Sequence, residues 1–399
     1  MKYLERTAYL DKLMRVKGTP DIKVITGMRR SGKSVLMQQF IARVKKTDKS
    51  CNIIFLNLQE LELDELHDYH KLHQYVLERY KSKVDNILVI DEVQLCEGFE
   101  FAINSLHAKQ LFDIYITGSN AFLLSSDIAT LFTGRTMKVE VLPFSFKEFF
   151  DYKGYNDNDL QVALRNYIQC GGLPGAYAYN TEADQYEYIR DVFYTIVLRD
   201  LVQKYDIRNR LELQQITEFM MDNISSLLSP NNICEALNNN GSGITRKTVS
   251  KYIDYLENAF VFYEAQRYDV KGKKYLETNK KYYINDIGMR YAVLGTKNMD
   301  FGHAYENIVY LELKRRGYNI YVGKLYKKEI DFVALKRSEK LYIQVSDNIA
   351  EKTTFEREIS PLLQIKDAYP KMILANTMHQ EYQFEGVKII NLANWLNDR

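Results

Sequence analysis

Proline and cysteine are both scarce in this chain of 399 residues, which has six prolines and four cysteines. The cysteines Cys51, Cys96, Cys170 and Cys234 are isolated from one another, and no CxxC pair occurs. This pattern argues against a structural zinc site and against a disulfide framework. The low proline content, together with 31 tyrosines, argues against long disordered linkers.

Net charge and long apolar runs are lacking as well. Lysine and arginine number 54 and aspartate and glutamate 52, so the formal net charge is only +2. A molecule-wide field that attracts nucleic acid is therefore excluded, and any nucleic-acid site must be local. No apolar run approaches the ~20 residues that a membrane helix needs, and the charged start of the chain has no secretory apolar core. We expect a cytoplasmic protein of two or three domains that does not enter a membrane.

Short apolar segments alternate with helix-length amphipathic stretches from about residue 20 to residue 150. The predicted strands are residues 22–26, 52–57, 87–90, 113–117 and 137–142. Their near-continuous apolar character is typical of strands that are buried on both faces. Alternation of strand and helix predicts a mostly parallel sheet covered by helices.

The segment GMRRSGKS matches the pattern G-x-x-x-x-G-K-[ST] in full, with a predicted strand before it and an amphipathic helix after it. Such a P-loop wraps its backbone N–H groups around phosphate, and the helix directs its positive end at the nucleotide. Lys33 would reach the terminal phosphates of ATP, and the hydroxyl of Ser34 would hold Mg²⁺. The candidate nucleotide-binding residues are Gly27, Met28, Arg29, Arg30, Ser31, Gly32, Lys33, Ser34 and Val35.

A second motif, NILVIDEVQ, places Asp91 and Glu92 directly after a strongly apolar strand. In α/β sheets, ligands bind at the carboxyl ends of the strands. Asp91 is therefore a candidate to hold Mg²⁺ together with Ser34, and Glu92 a candidate to orient and deprotonate the attacking water. The alternative is an acidic pair that only ends a strand, but the spacing after the P-loop favours the site.

The segment ITGSN ends the next predicted strand. Thr117 and Ser119 are candidates for nucleotide binding, and Asn120 is a candidate catalytic sensor of the γ-phosphate; the alternative is a Ser/Asn helix cap. Further on, Arg135 lies between a glycine turn and the fifth strand. It is a candidate arginine finger that neutralises charge in the transition state, and the alternative is a structural arginine paired with a carboxylate.

Five landmarks, GMRRSGKS, VIDEVQ, ITGSN, LFTGR and LPFSFKEFF, occur in this order in the first 150 residues. In these landmarks the segment resembles the archaeal-type AAA ATPase family, a branch of the additional-strand P-loop NTPases. The resemblance implies a sheet whose Thr117 strand lies between the P-loop strand and the Asp91 strand, and a finger or sensor role for Arg135. The later segments CGGLPGAY, TIVLRDLV and EIDFV resemble the C-terminal domain of unknown function common in these ATPases.

The middle of the chain is predicted to hold a helical connector, residues 153–210, and a winged-helix-like domain, residues 211–300. In the latter, Thr245 caps a helix that carries Val249 and Ile253 on its packed face. The other face of this helix and a turn further on carry polar and basic residues: Arg246, Lys247, Ser250, Lys251, Lys271, Lys273 and Lys274. Helix, turn, helix and hairpin is the winged-helix order. Contact with DNA through residues 245–281 is one hypothesis, and a protein contact or a lid on the ATPase is the alternative.

The last segment, residues 301–399, follows the order helix, three strands, helix, strand. With Glu306 on the helix and Asp331 on the second strand, it resembles the PD-(D/E)xK nuclease fold. Such a site needs carboxylates for Mg²⁺ and a lysine that positions water. Here Gln344 stands for the expected acid and Ser346 for the expected lysine. We therefore expect a nuclease-like scaffold without nuclease activity, unless a lysine such as Lys352 is supplied from elsewhere.

Two further clusters have a plain alternative explanation. A basic group near the C-terminal strands either binds a partner or is simply solvated: Arg315, Arg316, Lys324, Lys327 and Lys328. His67, His70 and His73 recur every three residues. A solvated helix face is a far stronger expectation for them than a shared metal, because no acid or cysteine completes a ligand set.

The sequence thus predicts an α/β protein with a P-loop ATPase domain at residues 1–152, followed by the connector, the winged-helix-like domain and the nuclease-like domain. Hydrolysis of ATP would drive or switch a conformational change. One hypothesis couples this change to DNA, and the other makes the chain a regulatory ATP switch that acts on a protein partner. A homo-oligomer fits either hypothesis, and the sequence leaves open whether Arg135 acts in cis or, within such an oligomer, in trans.

Overall fold

A computed structural model describes residues 3–118, 132, 134–239, 241–295, 300–379 and 381–398. It divides the chain into two units, Met1–Pro143 and Phe144–Arg399. Within the described residues, no helix is both long and apolar enough to cross a membrane. The division into four predicted domains stays a prediction.

The first unit contains a sheet of five strands that run parallel. The strands are β1 (Ile22–Thr26), β2 (Asn52–Asn57), β3 (Asn86–Asp91), β4 (Asp113–Thr117) and β5 (Thr136–Glu140). Their spatial order is β2-β3-β4-β1-β5. The predicted strands are confirmed to within two residues at each end, and β4 lies between the P-loop strand and the Asp91 strand as expected.

Helices cover both faces of this sheet. They are α1 (Thr7–Arg15), α2 (Lys33–Thr47), α3 (Tyr69–Glu78) and α4 (Phe99–Ala108), with short 3₁₀ turns at Leu61–His67 and Val93–Leu95. Side chains such as Ile25 and Val89 pack with α1 and α2, whereas their neighbours Val24 and Leu88 pack with α3 and α4. Because successive residues of a strand point to opposite faces, double coverage explains why these strands read as continuous apolar runs.

The second unit begins with helices. They are α5 (Phe146–Lys153), α6 (Leu160–Cys170), α7 (Glu182–Tyr194), a π-helical turn Thr195–Leu201 that continues into α8 (Val202–Tyr205), α9 (Arg210–Asp222), α10 (Pro230–Asn239), α11 (Arg246–Asn258), α12 (Ile287–Leu294), α13 (Phe301–Arg315), α14 (Lys352–Leu363) and α15 (Leu392–Asn397). Short 3₁₀ turns lie at Asp157–Asp159 and Pro174–Ala178. α11 begins as predicted, because the Thr245 side chain accepts a hydrogen bond from the Thr248 backbone N–H.

The strands of the second unit form one mixed sheet of nine. They are β6 (Leu227–Leu228), β7 (Phe262–Asp269), β8 (Lys274–Ile284), β9 (Asn319–Leu325), β10 (Lys328–Lys336), β11 (Glu339–Ser346), β12 (Lys371–Ala375), β13 (Tyr382–Phe384) and β14 (Val387–Asn391). Their order is β13-β14-β12-β11-β10-β9-β7-β8-β6. The β7–β8 hairpin therefore continues into the C-terminal strands through the parallel β7–β9 pair, a pairing that the sequence did not indicate.

A glycine turn after α6 packs against Asp286, the residue before α12. Gly171 has a φ of 68°, and a Cβ atom on it would lie 2.0 Å from Oδ1 of Asp286. The other carboxylate oxygen of Asp286 accepts a hydrogen bond from the Gly172 N–H at 2.6 Å. Burial raises the pKa of Asp286 to about 6, although backbone hydrogen bonds oppose the shift. The CGGLPG segment is thus explained as a close approach of backbone to a buried carboxylate.

We expect Gly171→Ala to lower the free energy of unfolding by about 3 kcal/mol, because a new methyl group must displace Asp286 and the backbone is held at positive φ. Gly154→Ala is the matched control: Gly154 has a φ of 76° and open space around it. It should cost only the backbone strain of about 1 kcal/mol. Urea unfolding measures both, and equal losses in the two variants would contradict the close approach at Gly171.

Candidate nucleotide site

The loop between β1 and α2 has a backbone that only particular residues can adopt. Gly27 has a φ of 138°, and a Cβ atom there would lie 2.2 Å from the backbone oxygen of Val141. Gly32, with a φ of 95°, precedes the first residue of α2, and Arg30 has a φ of 66°. Gly27 is therefore needed for the close approach to the backbone of Val141, which follows β5, and Gly32 for the left-handed turn into the helix.

Lys33 turns its ammonium group back into this loop. Its Nζ donates hydrogen bonds to the carbonyl oxygens of Gly27 at 3.0 Å and Met28 at 3.1 Å. Burial lowers the pKa of the Lys33 ammonium to about 8, and the nearby carboxylates of Glu92 and Asp91 oppose that shift. One buried cation and two carboxylates therefore share the carboxyl edge of the sheet, where the motifs predicted them.

Thr117, at the end of β4, joins the two acidic residues of the neighbouring strand. Its hydroxyl donates a hydrogen bond to Oδ1 of Asp91 and accepts one from the Glu92 N–H at 3.2 Å. Asp91 and Thr117 are both buried. Glu92 has a φ of 56°, and its carboxylate accepts a hydrogen bond from the Gln94 amide. The pair of strands thus holds the Asp91 carboxylate and sets the backbone from which Glu92 projects.

The remaining P-loop residues differ in exposure. Ser31 is buried, and its hydroxyl oxygen has no hydrogen-bond partner within the described ranges. Arg29, Ser34 and Val35 are half-buried, whereas Arg30 is exposed. A loop with left-handed glycines, an unsatisfied buried hydroxyl and a lysine held by carbonyls fits a phosphate group. The hydroxyl of Ser34 and the carboxylate of Asp91 are oxygen ligands of the kind that Mg²⁺ takes.

Arg6 is a residue of this site that the sequence did not reveal. Its guanidinium donates to the carbonyl oxygens of Ser31 at 3.2 Å and Pro143 at 3.4 Å, and it lies 4.5 Å from the ring centroid of Tyr9. Arg6 therefore supports the P-loop from the N-terminal segment. No local motif marks it, because its partners are backbone oxygens far along the chain.

Arg135 lies away from these groups. Ile22 pairs with Thr136 in the parallel β1–β5 ladder, so Arg135 is at the edge where the strands begin, whereas the P-loop follows their ends. One strand of five residues spans roughly 15 Å. Arg135 is exposed, and this position does not fit a finger in the site of its own unit. Ser119 and Asn120 lie outside the described residues.

The three histidines do not come together as ligands. His67 bonds to the Leu58 carbonyl at 2.9 Å and pairs with Asp64, while His73 bonds to the Ser105 hydroxyl at 2.9 Å. His70 is exposed. Throughout the part of the chain that the structure describes, no group of three or more histidine, cysteine or acidic residues is arranged to hold a metal.

In the second unit, a lysine lies among the predicted nuclease-like carboxylates Glu306 and Asp331 and a third acid that the motif did not predict, Glu329. The Nζ atom of Lys281, on β8, lies 2.9 Å from Glu306, 2.8 Å from Glu329 and 3.9 Å from Asp331. Burial acts to lower the pKa of Lys281, but these carboxylates raise it above its usual range. The hydroxyl of Tyr283 donates to Glu306 at 2.7 Å. One cation from another strand therefore lies within ion-pair distance of all three acids.

The other predicted residues of this region make internal contacts. The Gln344 amide donates to Glu358 at 2.8 Å and accepts from the Asp331 N–H at 2.8 Å. Ser346 donates to the Asn348 carbonyl at 3.1 Å. Lys352 is exposed and lies 3.8 Å from Glu356. The lysine near Asp331 is thus Lys281, which no spacing rule could have identified because it lies 50 residues earlier.

Two basic regions of the second unit differ in whether their cationic side chains are exposed or paired with other protein groups. On α11 the residues Val249 and Ile253 are buried, and the opposite side exposes Arg246, Lys247, Ser250 and Lys251. In the C-terminal group, Arg315 and Arg316 both pair with Glu312, and Lys328 donates to the Ser360 hydroxyl. The solvated cations of α11 are therefore the stronger candidates for contact with a polyanion.

Comparison with known proteins gives two family matches. A model described as an AAA domain matches residues 19–150, and one described as a domain of unknown function matches residues 161–300. Both agree with the resemblance inferred from the motifs at this coarser level. The narrower archaeal-type branch stays a prediction, and nothing in these matches supports the nuclease resemblance of the last segment.

Relatives are found over the whole chain. An uncharacterized protein of Haemophilus influenzae is 38% identical over 397 residues, which cover 98% of each chain. An uncharacterized protein of Methanocaldococcus jannaschii is 29% identical over 90% of this chain and 82% of the relative. Among solved structures, AMPPCP-bound DnaA from Aquifex aeolicus is 19% identical, covers 63% of this chain and 88% of that chain, and has a TM-score of 0.29, a likeness too low to support an argument. The chain therefore belongs to the same protein family as the Haemophilus influenzae protein, with an AAA domain of the P-loop NTPase type followed by a domain of unknown function.

Proposed function

We propose that the first unit binds ATP with Mg²⁺ and hydrolyses it. The observation that carries this proposal is the buried ammonium of Lys33, held by P-loop carbonyls and influenced by the carboxylates of Asp91 and Glu92. A buried cation beside a loop whose backbone N–H groups can wrap around phosphate attracts the phosphate chain, and the two acids that follow β3 supply a metal ligand and a base. The AAA family match over residues 19–150 supports the same assignment.

Each residue has a distinct role in this mechanism. Residues 27–32 cradle the phosphates, and Lys33 exchanges its contacts with Gly27 and Met28 for the terminal phosphates. Ser34 and Asp91 hold Mg²⁺, which supplies charge neutralisation at the transferred phosphoryl group. Glu92 orients the attacking water and accepts its proton. Thr117 keeps the Asp91 carboxylate in place through its hydroxyl.

The predicted sensor and finger complete the assignment. Thr117 and Ser119 are proposed to contact nucleotide, and Asn120 to sense the γ-phosphate. Arg135 is proposed to act in trans, since its place at the start of β5 does not fit its own site. This requires a homo-oligomer in which one copy presents Arg135 to the P-loop of the next.

We further propose that hydrolysis drives or switches a conformational change on nucleic acid. The exposed basic side of α11, within the region 245–281, supports this choice, because a helix of that kind can enter the major groove. In that proposal residues 211–300 act as a winged-helix-like domain behind the helical connector. A protein partner is the alternative, which the balanced total charge favours.

No nuclease activity is proposed for residues 301–399. The ammonium of Lys281 lies among Glu306, Glu329 and Asp331, so a divalent cation would have to displace a buried, paired lysine.

We expect Lys33→Ala to abolish ATP binding, because the buried cation is lost. Glu92→Gln should bind ATP with the parent affinity and turn over at least ~100-fold more slowly, which is the usual size of a general-base effect. Binding is measured with a fluorescent nucleotide and turnover by phosphate release. Hydrolysis by Glu92→Gln at the parent rate would show that the base is another residue.

The affinity for ATP should fall as the pH rises through about 8. Lys33 of the free protein loses its proton in that range, whereas phosphate binding requires the charged form and raises its pKa in the complex. The nucleotide phosphates are already ionised there, since their last pKa is about 6. The apparent Kd should therefore be constant from pH 7 to 7.5 and rise by up to about tenfold per pH unit above 8. A flat profile to pH 9.5 contradicts the role of Lys33.

The rate of ATP hydrolysis should increase when duplex DNA is added, and the increase should disappear at high salt. The variant Arg246→Gln/Lys247→Gln should lose the stimulation and keep the basal rate, because both residues lie on the exposed side of α11. Absence of DNA binding at low salt would exclude this branch and favour the protein switch.

A further inference from the structure

A group of tyrosines and lysines lies on the β7–β8 turn, on the β9–β10 turn, and on or beside β8, β9, β11 and β12 of the mixed sheet. We define this tyrosine–lysine surface by the residues Tyr275, Tyr321, Tyr326, Tyr369, Lys271, Lys273 and Lys340. Tyr321 and Lys340 are half-buried, whereas the other members are exposed. Tyr275 is 56% exposed, Tyr326 61% and Tyr369 44%. Single exposed aromatic side chains are common on protein surfaces, but a contiguous group of them can mark an interaction site.

The rings of this surface are connected through close contacts. The ring centroids of Tyr275 and Tyr321 are 5.0 Å apart, and both rings also lie against Tyr268, at 5.6 and 6.1 Å. The Nζ atom of Lys340 lies 5.3 Å from the ring centroid of Tyr268 and 5.3 Å from that of Tyr369. Tyr268 belongs to the apolar core. The exposed rings are therefore anchored on buried ones and form a pre-organised platform.

A second part of the surface lies on the adjoining turns. The Val270 N–H donates to the Lys324 carbonyl at 3.0 Å, which brings the β7–β8 turn beside the β9–β10 turn. Across these turns, Nζ of Lys271 lies 4.7 Å from the ring centroid of Tyr326. Lys273 is close enough to Lys340 to help lower the pKa of its ammonium, after the larger effect of burial.

The charge of the surface has one dominant sign, although the whole chain is nearly neutral. The turn DVKGKKY, residues 269–275, has three lysines and one aspartate, and the turn LYKK, residues 325–328, has two lysines and no acid. Asp269 already accepts hydrogen bonds from the Lys271 and Gly272 N–H groups. Asp367, beside Lys340, already accepts one from Tyr342. The lysines of these turns therefore outnumber the acids, and oxygens of the nearby acids already accept hydrogen bonds.

We infer that this tyrosine–lysine surface binds single-stranded DNA, with bases stacked on Tyr275, Tyr326 and Tyr369 and phosphates on the exposed Lys271 and Lys273. Exposed aromatic rings interleaved with cations are the combination that single strands require, because every base has a face that stacks. A protein partner is a poorer fit, since lysine is depleted from the centres of protein interfaces. RNA readers recognise the 2′-hydroxyl, which is both donor and acceptor, and the acidic acceptors here are already engaged.

This inference deepens the nucleic-acid branch of the proposed function and rests on it. It adds a binding mode that α11 does not supply, because a helix reads a duplex groove whereas this surface needs unpaired bases. Binding is therefore tested directly, with the full chain and without ATP, by fluorescence anisotropy of a labelled dT20 strand and of a 20-base-pair duplex at low salt.

Three tyrosine variants test the stacking. Tyr275→Ala and Tyr326→Ala should each weaken dT20 binding by between about 5-fold and 100-fold. Tyr275→Phe keeps the ring and should stay within about 3-fold of the parent. Tyr382→Ala is the matched control: Tyr382 is 39% exposed and lies on β13, at the opposite edge of the same sheet. It should bind like the parent, and melting temperatures check that all variants fold.

The salt dependence tests the phosphate contacts. Lys271→Gln and Lys273→Gln should each reduce the slope of log K against log salt by about 0.7. Absence of dT20 binding at low salt, or parent affinity in both alanine variants, overturns the inference. Equal affinity for duplex and single strand, unchanged by the tyrosine substitutions, also overturns the inference. Tighter binding of an rU20 strand than of dT20 overturns DNA as the occupant.

The two proposals fail separately. A chain that hydrolyses ATP but does not bind dT20 overturns the tyrosine–lysine surface and leaves the ATPase. A chain that binds dT20 through Tyr275 and Tyr326 but releases no phosphate from ATP overturns the ATPase and leaves the tyrosine–lysine surface. Lys33→Ala provides the link, because it should lose ATP binding and keep the parent affinity for dT20.

Discussion

The buried ammonium of Lys33 is the charge on which the first unit depends. A buried cation is tolerated only where polar groups and opposite charges surround it, and here two P-loop carbonyls and the carboxylates of Asp91 and Glu92 do so. These groups come from separate strands that end at one edge of the sheet. The parallel order that places β4 between β1 and β3 is therefore what brings the charges together.

The same edge is supported from outside the motifs. Thr117 bonds to Asp91 and to the backbone of Glu92, and Arg6 bonds to the P-loop at Ser31. Gly27 has to be a glycine because a Cβ atom there would lie only 2.2 Å from the backbone oxygen of Val141, the residue after β5. The site is thus held by its neighbours, so that substitutions outside the motif residues can change nucleotide affinity.

In the second unit, Lys281 is also a buried lysine beside carboxylates, but here the lysine occupies the place that a metal ion would need. Its ammonium lies among three carboxylates, and such a cluster is stable only while every charge keeps its partner. It joins β8 to α13 and β10, elements on both sides of the predicted boundary at residue 300. Continuity of the nine-stranded sheet through β7 and β9 has the same effect. These strands therefore belong to one sheet, and the same sheet carries the tyrosine–lysine surface.

Sequence alone determined what depends on local pattern: the five strands of the first sheet, the P-loop at Gly27–Ser34, the acidic pair after β3 and the capped helix α11. Each follows from spacing, backbone restriction or apolar runs within about ten residues. Only the tertiary structure decided which distant groups meet. It placed Arg135 at the far edge from the P-loop, Arg6 against Ser31, Lys281 among the acids and Tyr275 beside Tyr321. The physical reason is that these residues are far apart in the sequence from their partners, so no local spacing pattern connects them. The contacts form only when the strands have assembled into their sheets.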